Sequence, residues 1–143
     1  MAFEKEHKIL DGYLRDKGLK QSAQRRDILN AFLKTEGHMT VEDLHKIVKR
    51  KNPSIGIATI YRALKMFCEC GLCRELRLGD GMIRYEHKYG HAHHDHFTCL
   101  KCNKLIEATD PEIERLQEKL ARKMGFKLQG HLLILYGLCR ECK

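Results

Sequence analysis

The stretch His91-Ala-His-His-Asp-His-Phe-Thr-Cys-Leu-Lys-Cys102 gathers four imidazoles, one carboxylate and two thiols. Cys99 and Cys102 have the CxxC spacing that lets two sulfurs reach one ion, and a second pair, Cys139-x-x-Cys142, follows much later. Four thiolates complete a tetrahedral zinc site with no open position, as structural rather than catalytic zinc requires. The imidazoles and the carboxylate before Cys99 are harder donors, of the kind iron, manganese or zinc accept. The expectation is two metal functions side by side, one holding the fold and one sensing. A disulfide framework is the competing reading. The tight pairing of these cysteines and the lack of any sign of secretion weigh against it.

Chain length and composition set the frame for these ligands. The 143 residues suffice for one domain or two small ones, and 43% are hydrophobic. Two domains this small would each be marginal alone, so metal binding and dimerisation are the expected remedies. Met1-Ala-Phe-Glu-Lys lacks the apolar core of a signal peptide, and no run approaches a membrane span. A cytoplasmic protein with no membrane partner is expected, and in a reducing compartment Cys pairs favour zinc. A net charge of +8 points to an anionic partner, nucleic acid first.

Hydrophobic periodicity gives the elements that must position the ligands. Residues 3–17 read as a helix with Phe3, His7, Leu10 and Leu14 on one side, ended by Gly18. Ser22 caps a second helix carrying Ile28, Leu29, Phe32 and Leu33, stopped near Gly37. Thr40-x-x-Asp43 resembles a capping box for a third, with Val41, Leu44, Ile47 and Val48 as its stripe, broken at Asn52-Pro53. A fourth helix from about Gly56 to Glu69 is expected to bury Ile57, Ile60, Leu64 and Phe67 and to show Ala58, Thr59, Tyr61, Arg62 and Lys65. Strands at 72–78 and 82–87 join through Gly79-Asp80-Gly81, a hairpin signal.

Helices followed by a hairpin suggest the winged-helix variant of helix-turn-helix, with the fourth helix entering a DNA major groove. Arg62 and Lys65 suit guanine edges or phosphates, and Thr59 and Tyr61 suit thymine methyls and the backbone. Beyond Gly90 the pattern changes. Strands are expected at 95–99 and 104–108 around the turn Lys101-Cys102-Asn103. Asp110-Pro111 opens a helix whose buried face is Ile113, Leu116, Leu120 and Met124, ended by Gly125. Residues 126–138 read as one long strand, apolar on both faces from Leu132 to Tyr136 and hence covered by a helix and a second subunit. The fold class expected is α+β: a winged-helix DNA-binding domain at 1–86, a linker at 87–93, and a small α/β metal-binding dimerisation domain at 94–143.

The chain resembles the ferric uptake regulator family over nearly its whole length. The resemblance is carried by Gly18-Leu-Lys20 with Gln24-Arg25, His38-x-x-x-Glu42-Asp-Leu44, Ile57-Ala-Thr-Ile-Tyr-Arg-Ala-Leu64 and Arg84-Tyr-Glu86. It continues through His93-His-Asp-His96, Cys99-x-x-Cys102, Ile106-Glu107, and His131 followed by Leu135-Tyr-Gly-x-Cys139. It implies a homodimer, with higher oligomers on DNA or without metal, that represses transcription from A/T-rich inverted repeats in double-stranded DNA. By position it implies structural Zn(II) on Cys99, Cys102, Cys139 and Cys142. A regulatory site on His38, Glu86, His94, His96 and Glu107 follows in the same way, as does an additional site on His93, Asp95, Glu114 and His131. Lys20 becomes the candidate for a minor-groove contact beside the DNA-reading residues Thr59, Tyr61, Arg62 and Lys65.

Within the family, zinc-uptake regulators tend to have Cys where Glu86 stands, and peroxide sensors tend to have Asp at the positions of Glu86 and Glu107. The regulatory metal expected here is therefore Fe(II), with Mn(II), Co(II) or Zn(II) as substitutes. Peroxide-sensing and zinc-sensing regulators are the alternatives. A zinc enzyme is not expected, because neither H-E-x-x-H nor H-x-E with P-C-x-x-C is present. A metal chaperone that ignores DNA is disfavoured by the basic face around Arg62. His87 and His91 read as surface residues. Cys68, Cys70 and Cys73 read as packing residues in preference to a redox-sensitive cluster.

Overall fold

The structure, a computed structural model, describes residues 2–35, 37–77, 79, 81–87 and 95–143. The fold is α+β and divides into two compact units, Met1–Arg77 with Met82–His91, and Leu78–Gly81 with Ala92–Lys143. No helix among the described residues is long and apolar enough to cross a membrane.

The first unit contains α1 (Glu4–Asp16), α2 (Ala23–Lys34), α3 (Val41–Lys51), α4 (Ile57–Glu69) and the antiparallel hairpin β1 (Cys73–Arg77) with β2 (Ile83–His87). Local chemistry sets the boundaries. Ser22 Oγ accepts from the Arg25 amide at 3.1 Å, which satisfies one of the orphan donors at the start of α2. Thr40 and Asp43 form the full capping box of α3, with both bonds at 3.1 Å. One core joins the four helices through Leu10, Leu14, Ile28, Leu29, Leu44, Ile60, Leu64 and the Phe32–Phe67 pair, 6.3 Å between ring centres, and reaches the hairpin at Cys73 and Tyr85. Each such side chain contributes about 1.5–3 kcal/mol by leaving water.

Two expectations fail here. Ile57 is exposed, because it starts α4 one turn before Ile60 and lies past the edge of the core; Ala63 completes the buried stripe instead. His87, expected on the surface, is buried. Its Nε2 donates to the Phe32 carbonyl, and its ring stands edge-on to Phe32 at 4.6 Å. A bonded imidazole is tolerated in a core where an unbonded one is not. One connection is new: Met39 forms a bridge to Tyr85, with N–H···O bonds in both directions at 3.1 and 2.8 Å.

The second unit holds β3 (Asp95–Cys99), β4 (Leu105–Ala108), α5 (Pro111–Lys123) and β5 (Ile134–Gly137). The strand order is β4-β3-β5, with β3 antiparallel to β4 and parallel to β5. Asp110 caps α5 through the Glu112 amide at 2.8 Å, and Pro111 occupies the first turn. The apolar stripe of α5 is not buried, contrary to expectation. Leu120 is 60% exposed, Met124 67% and the following Phe126 72%. Nor is 126–138 one long strand. Only Ile134–Gly137 pairs, because β3 offers a parallel register from His96↔Ile134 to Cys99↔Gly137 and no more. Residues 126–132 have no ladder partner among the described residues, and Leu133 offers only its carbonyl, which accepts from the His96 amide at 3.1 Å. Leu132, Leu135 and Tyr136 are exposed in the single chain. Nothing among the described residues covers these apolar faces.

Candidate metal centres and nucleic-acid face

Cys99 ends β3, and the tight turn that follows returns the chain through Asn103, at φ 60°, to β4. The Asn103 amide donates to the Cys99 carbonyl at 2.9 Å, and the Cys99 amide to the Lys104 carbonyl at 3.0 Å. The Leu100 amide bonds the Gly137 carbonyl at 2.8 Å, which brings the end of β5 alongside this turn. Cys139 and Cys142 follow on a turn of their own, closed by the Cys142 amide on the Cys139 carbonyl at 2.9 Å. The four sulfurs all lie within 4.8 Å of one another. Cys102 and Cys139 are 3.7 Å apart. A zinc–sulfur bond of about 2.3 Å implies a tetrahedral edge of about 3.8 Å, so the cluster has the size of a tetrathiolate shell. Backbone amides aimed at Cys99, from the Cys102 side first and then Cys139, hold its thiol down at about 6. Hydrogen bonding with Cys139, helped by burial, pushes Cys142 up to about 12. Metal uptake would therefore release protons.

Adjacent strand residues face opposite ways, so Asp95 and His96 serve two different groups. Asp95 joins Glu114 of α5 and His131, all three ligand atoms within 4.8 Å of one another. His131 Nε2 is 3.2 Å from Asp95 Oδ1 and 3.5 Å from Glu114 Oε1. Such spacings suit three donors around one small cation, and nitrogen and carboxylate oxygen suit iron, manganese or zinc. His96 is fully buried and sits directly opposite Glu107 in the β3–β4 ladder. The other two expected ligands of this unit, His93 and His94, lie outside the described residues, as does His91.

In the first unit, His38 Nε2 and Glu86 Oε2 are 2.8 Å apart, and both side chains are buried. The Met39–Tyr85 bridge sits one residue beyond each of them and fixes their approach. Glu86 also accepts from Arg74 Nε, its partner across the hairpin. Arg74 was absent from the expected set, although the turn Gly79-Asp80-Gly81 already implies this pairing.

The outer face of α4 presents Tyr61, Arg62 and Lys65 to solvent, with Thr59 half-buried and accepting from Arg62 Nη2 at 3.4 Å. A shallow groove of about 220 Å³ runs between α2 and α4, lined by Ser22, Gln24, Arg25, Thr59, Arg62 and Met66. Lys20 is exposed just before α2, its carbonyl bound by Arg25 Nη1 at 2.8 Å. Arg25 thus ties the Lys20 turn to the groove. The signal for this tie in the sequence is Gln24-Arg25, close after Lys20.

A family model described as the ferric uptake regulator family matches residues 16–136. The ferric uptake regulation protein of Neisseria gonorrhoeae is 40% identical over 131 residues, 91% of this chain and 90% of that protein. The solved structure of the Helicobacter pylori ferric uptake regulator, reported to reveal three functional metal binding sites, superposes with a TM-score of 0.85 at 30% identity. It covers 99% of this chain and 94% of its own. The Pseudomonas aeruginosa regulator solved with manganese gives a TM-score of 0.78 at 34% identity, covering 91% and 97%.

Proposed function

Since this chain belongs to the ferric uptake regulator family and is a metal-responsive transcription regulator, we propose that it is a dimeric repressor switched on by Fe(II). The observation that carries iron is the donor set. His38 meets Glu86 at 2.8 Å, His96 lies opposite Glu107, and no thiolate belongs to either pair. Imidazole with carboxylate suits Fe(II) or Mn(II), whereas softer thiolate donors select zinc. Zn(II) and Co(II) remain substitutes in vitro. We assign His38, Glu86, His94, His96 and Glu107 to the regulatory site, and His93, Asp95, Glu114 and His131 to an additional one. Structural Zn(II) belongs to Cys99, Cys102, Cys139 and Cys142. The three functional sites of the Helicobacter pylori relative support a three-site reading.

The domain division follows the same logic: DNA binding in 1–86, a linker at 87–93, metal binding and dimerisation in 94–143. A bound metal supplies ligand bonds that join residues of both domains. His38 and Glu86 would then hold the winged helix at one angle to the dimer, which would set the separation of the two α4 helices against the operator half-sites. Thr59, Tyr61 and Arg62 read an A/T-rich inverted repeat in double-stranded DNA, Lys65 contacts phosphate, and Lys20 enters the adjacent narrow minor groove. The work is done in the cytoplasm, without chemical turnover.

DNA binding titrated against each metal is the direct test, and Fe(II) should restore operator binding to metal-stripped protein. Mass spectrometry of iron-loaded protein after brief low peroxide should find His38 and His94 unmodified. Rapid addition of one oxygen to either would make the chain a peroxide sensor and overturn the assignment. In Glu107→Asp the same treatment should oxidise histidine measurably faster, since the shorter carboxylate shields the site less.

The partner surface is the uncovered apolar face of α5 with Phe126 and Leu132. Glutamate at Leu120, which the single chain already exposes, should leave the monomer folded. By sedimentation it should raise the dimer dissociation constant by about 30-fold or more, as loss of a central anchor does. An unchanged dimer would move the interface elsewhere.

A further inference from the structure

The DNA-binding unit holds three cysteines that neither metal nor DNA recognition uses. Cys68 lies in the last turn of α4, Cys70 follows it, and Cys73 starts β1. Between them the chain folds back tightly. The Gly71 amide donates to the Cys68 carbonyl at 3.1 Å, and the Leu72 amide to the Phe67 carbonyl at 2.9 Å. This is a helix-ending motif that needs the left-handed backbone Gly71 adopts, at φ 84°. The reversal sets Cys73 Sγ 3.0 Å from Cys68 Sγ. Cys70 turns away, its thiol on the Phe67 carbonyl at 3.5 Å. The three sulfurs do not converge as a metal cluster, whereas the four zinc-type cysteines do. What remains is a pair of thiols already in contact.

We propose that Cys68 and Cys73 form an oxidisable dithiol that hydroperoxides close to a disulfide, a modification site within the DNA-binding unit. The roles of the two sulfurs differ. Cys68 is half-buried and reachable, while Cys73 is 2% exposed and has the Leu64 carbonyl 3.7 Å from its sulfur. The hydrogen bond from Cys73 lowers the Cys68 thiol below its ordinary range, against the opposing effect of burial. The same bond, and then burial, raises Cys73. Cys68 is therefore the thiolate that attacks. Its sulfur takes the distal oxygen of the hydroperoxide, the O–O bond breaks, and one proton completes the water or alcohol that leaves. The Cys73 sulfur then attacks the resulting sulfenic acid. The S–S bond forms, the S–O bond breaks, and the hydroxyl leaves as a second water with the Cys73 proton. Two thiols and one hydroperoxide thus give one disulfide, with no further reductant or oxidant. Closing to a bond of about 2.0 Å asks the two sulfurs to approach by about 1 Å from their 3.0 Å contact.

The test uses full-length, zinc-loaded, reduced protein exposed to hydrogen peroxide and then alkylated with N-ethylmaleimide. Trypsin releases Met66–Arg74, which contains all three cysteines. The expected product carries one alkyl group, on Cys70, and lacks two hydrogens. Dithiothreitol before alkylation should restore three alkyl groups. Cys70→Ser should still form the link, and Cys68→Ser should lose it completely. Three outcomes would overturn the proposal: full alkylation of this peptide after the zinc-site cysteines have oxidised, a link that persists in Cys68→Ser, or sulfinic acid at Cys68 with Cys73 still free. Zinc content measured alongside distinguishes this chemistry from breakdown of the thiolate cluster.

Discussion

Serine at any one of Cys99, Cys102, Cys139 or Cys142 should release zinc and leave the protein monomeric. The second unit has little else to hold it. Its sheet has three strands, α5 buries none of its residues, and of the chain's buried apolar core only Cys99 lies in residues 95–143. Structural zinc in peptides of comparable size supplies about 10–16 kcal/mol of apparent binding energy, which there is also folding energy. Removing one thiolate breaks the cluster and leaves the end of β5 tied to the β3–β4 turn only through single contacts such as Leu100–Gly137 and Lys104–Glu141, and the surface for a second copy goes with it. Elemental analysis paired with light scattering measures both losses together. Cys70→Ser is the control, retaining zinc and dimer. A folded dimer without zinc would sink the structural role.

Alanine at Arg62 should remove operator preference while sparing much of the nonspecific affinity. Arg62 is exposed mid-helix on α4 and already oriented by Thr59 at 3.4 Å. A bidentate base contact is worth about 1–3 kcal/mol of discrimination, which is roughly 5- to 150-fold. Lys65→Ala should instead weaken all sequences alike and lower the salt slope by about one. The two variants therefore separate reading from adhesion in one set of salt-dependent titrations. Operator specificity unchanged in Arg62→Ala would mean that α4 does not dock as a recognition helix.

Much of this architecture is legible in the residues themselves, for reasons that are local. Ser22, Thr40 with Asp43, and Asp110 with Pro111 start helices by satisfying amides a few positions away. The β1–β2 register follows from one turn, and the CxxC pairs state their own geometry. The features that escape reading depend on longer distances or on other chains. The Met39–Tyr85 bridge is a single pairing and leaves no periodicity. His87 is buried because one carbonyl of α2 receives it, which residue type does not announce. The stripe of α5 and the stretch 126–133 are apolar in sequence, but periodicity says which side avoids water and not whose atoms will cover it. Cys68 meets Cys73 only because Gly71 reverses the chain between them.

In the proposed metal switch, the contacts of Glu86 bear on sensitivity. This carboxylate is committed on both oxygens, to Arg74 and to His38. A cation that recruits Glu86 and His38 must displace a guanidinium and break an existing pair, so part of its intrinsic affinity is spent on that exchange. The detection threshold then lies above the value a vacant ligand pair would set. That suits a regulator, whose task is to stay silent while metal is scarce and respond once the free pool passes a level. Arg74, which would touch no metal, thereby becomes a residue through which selection can retune the set-point without altering a single ligand.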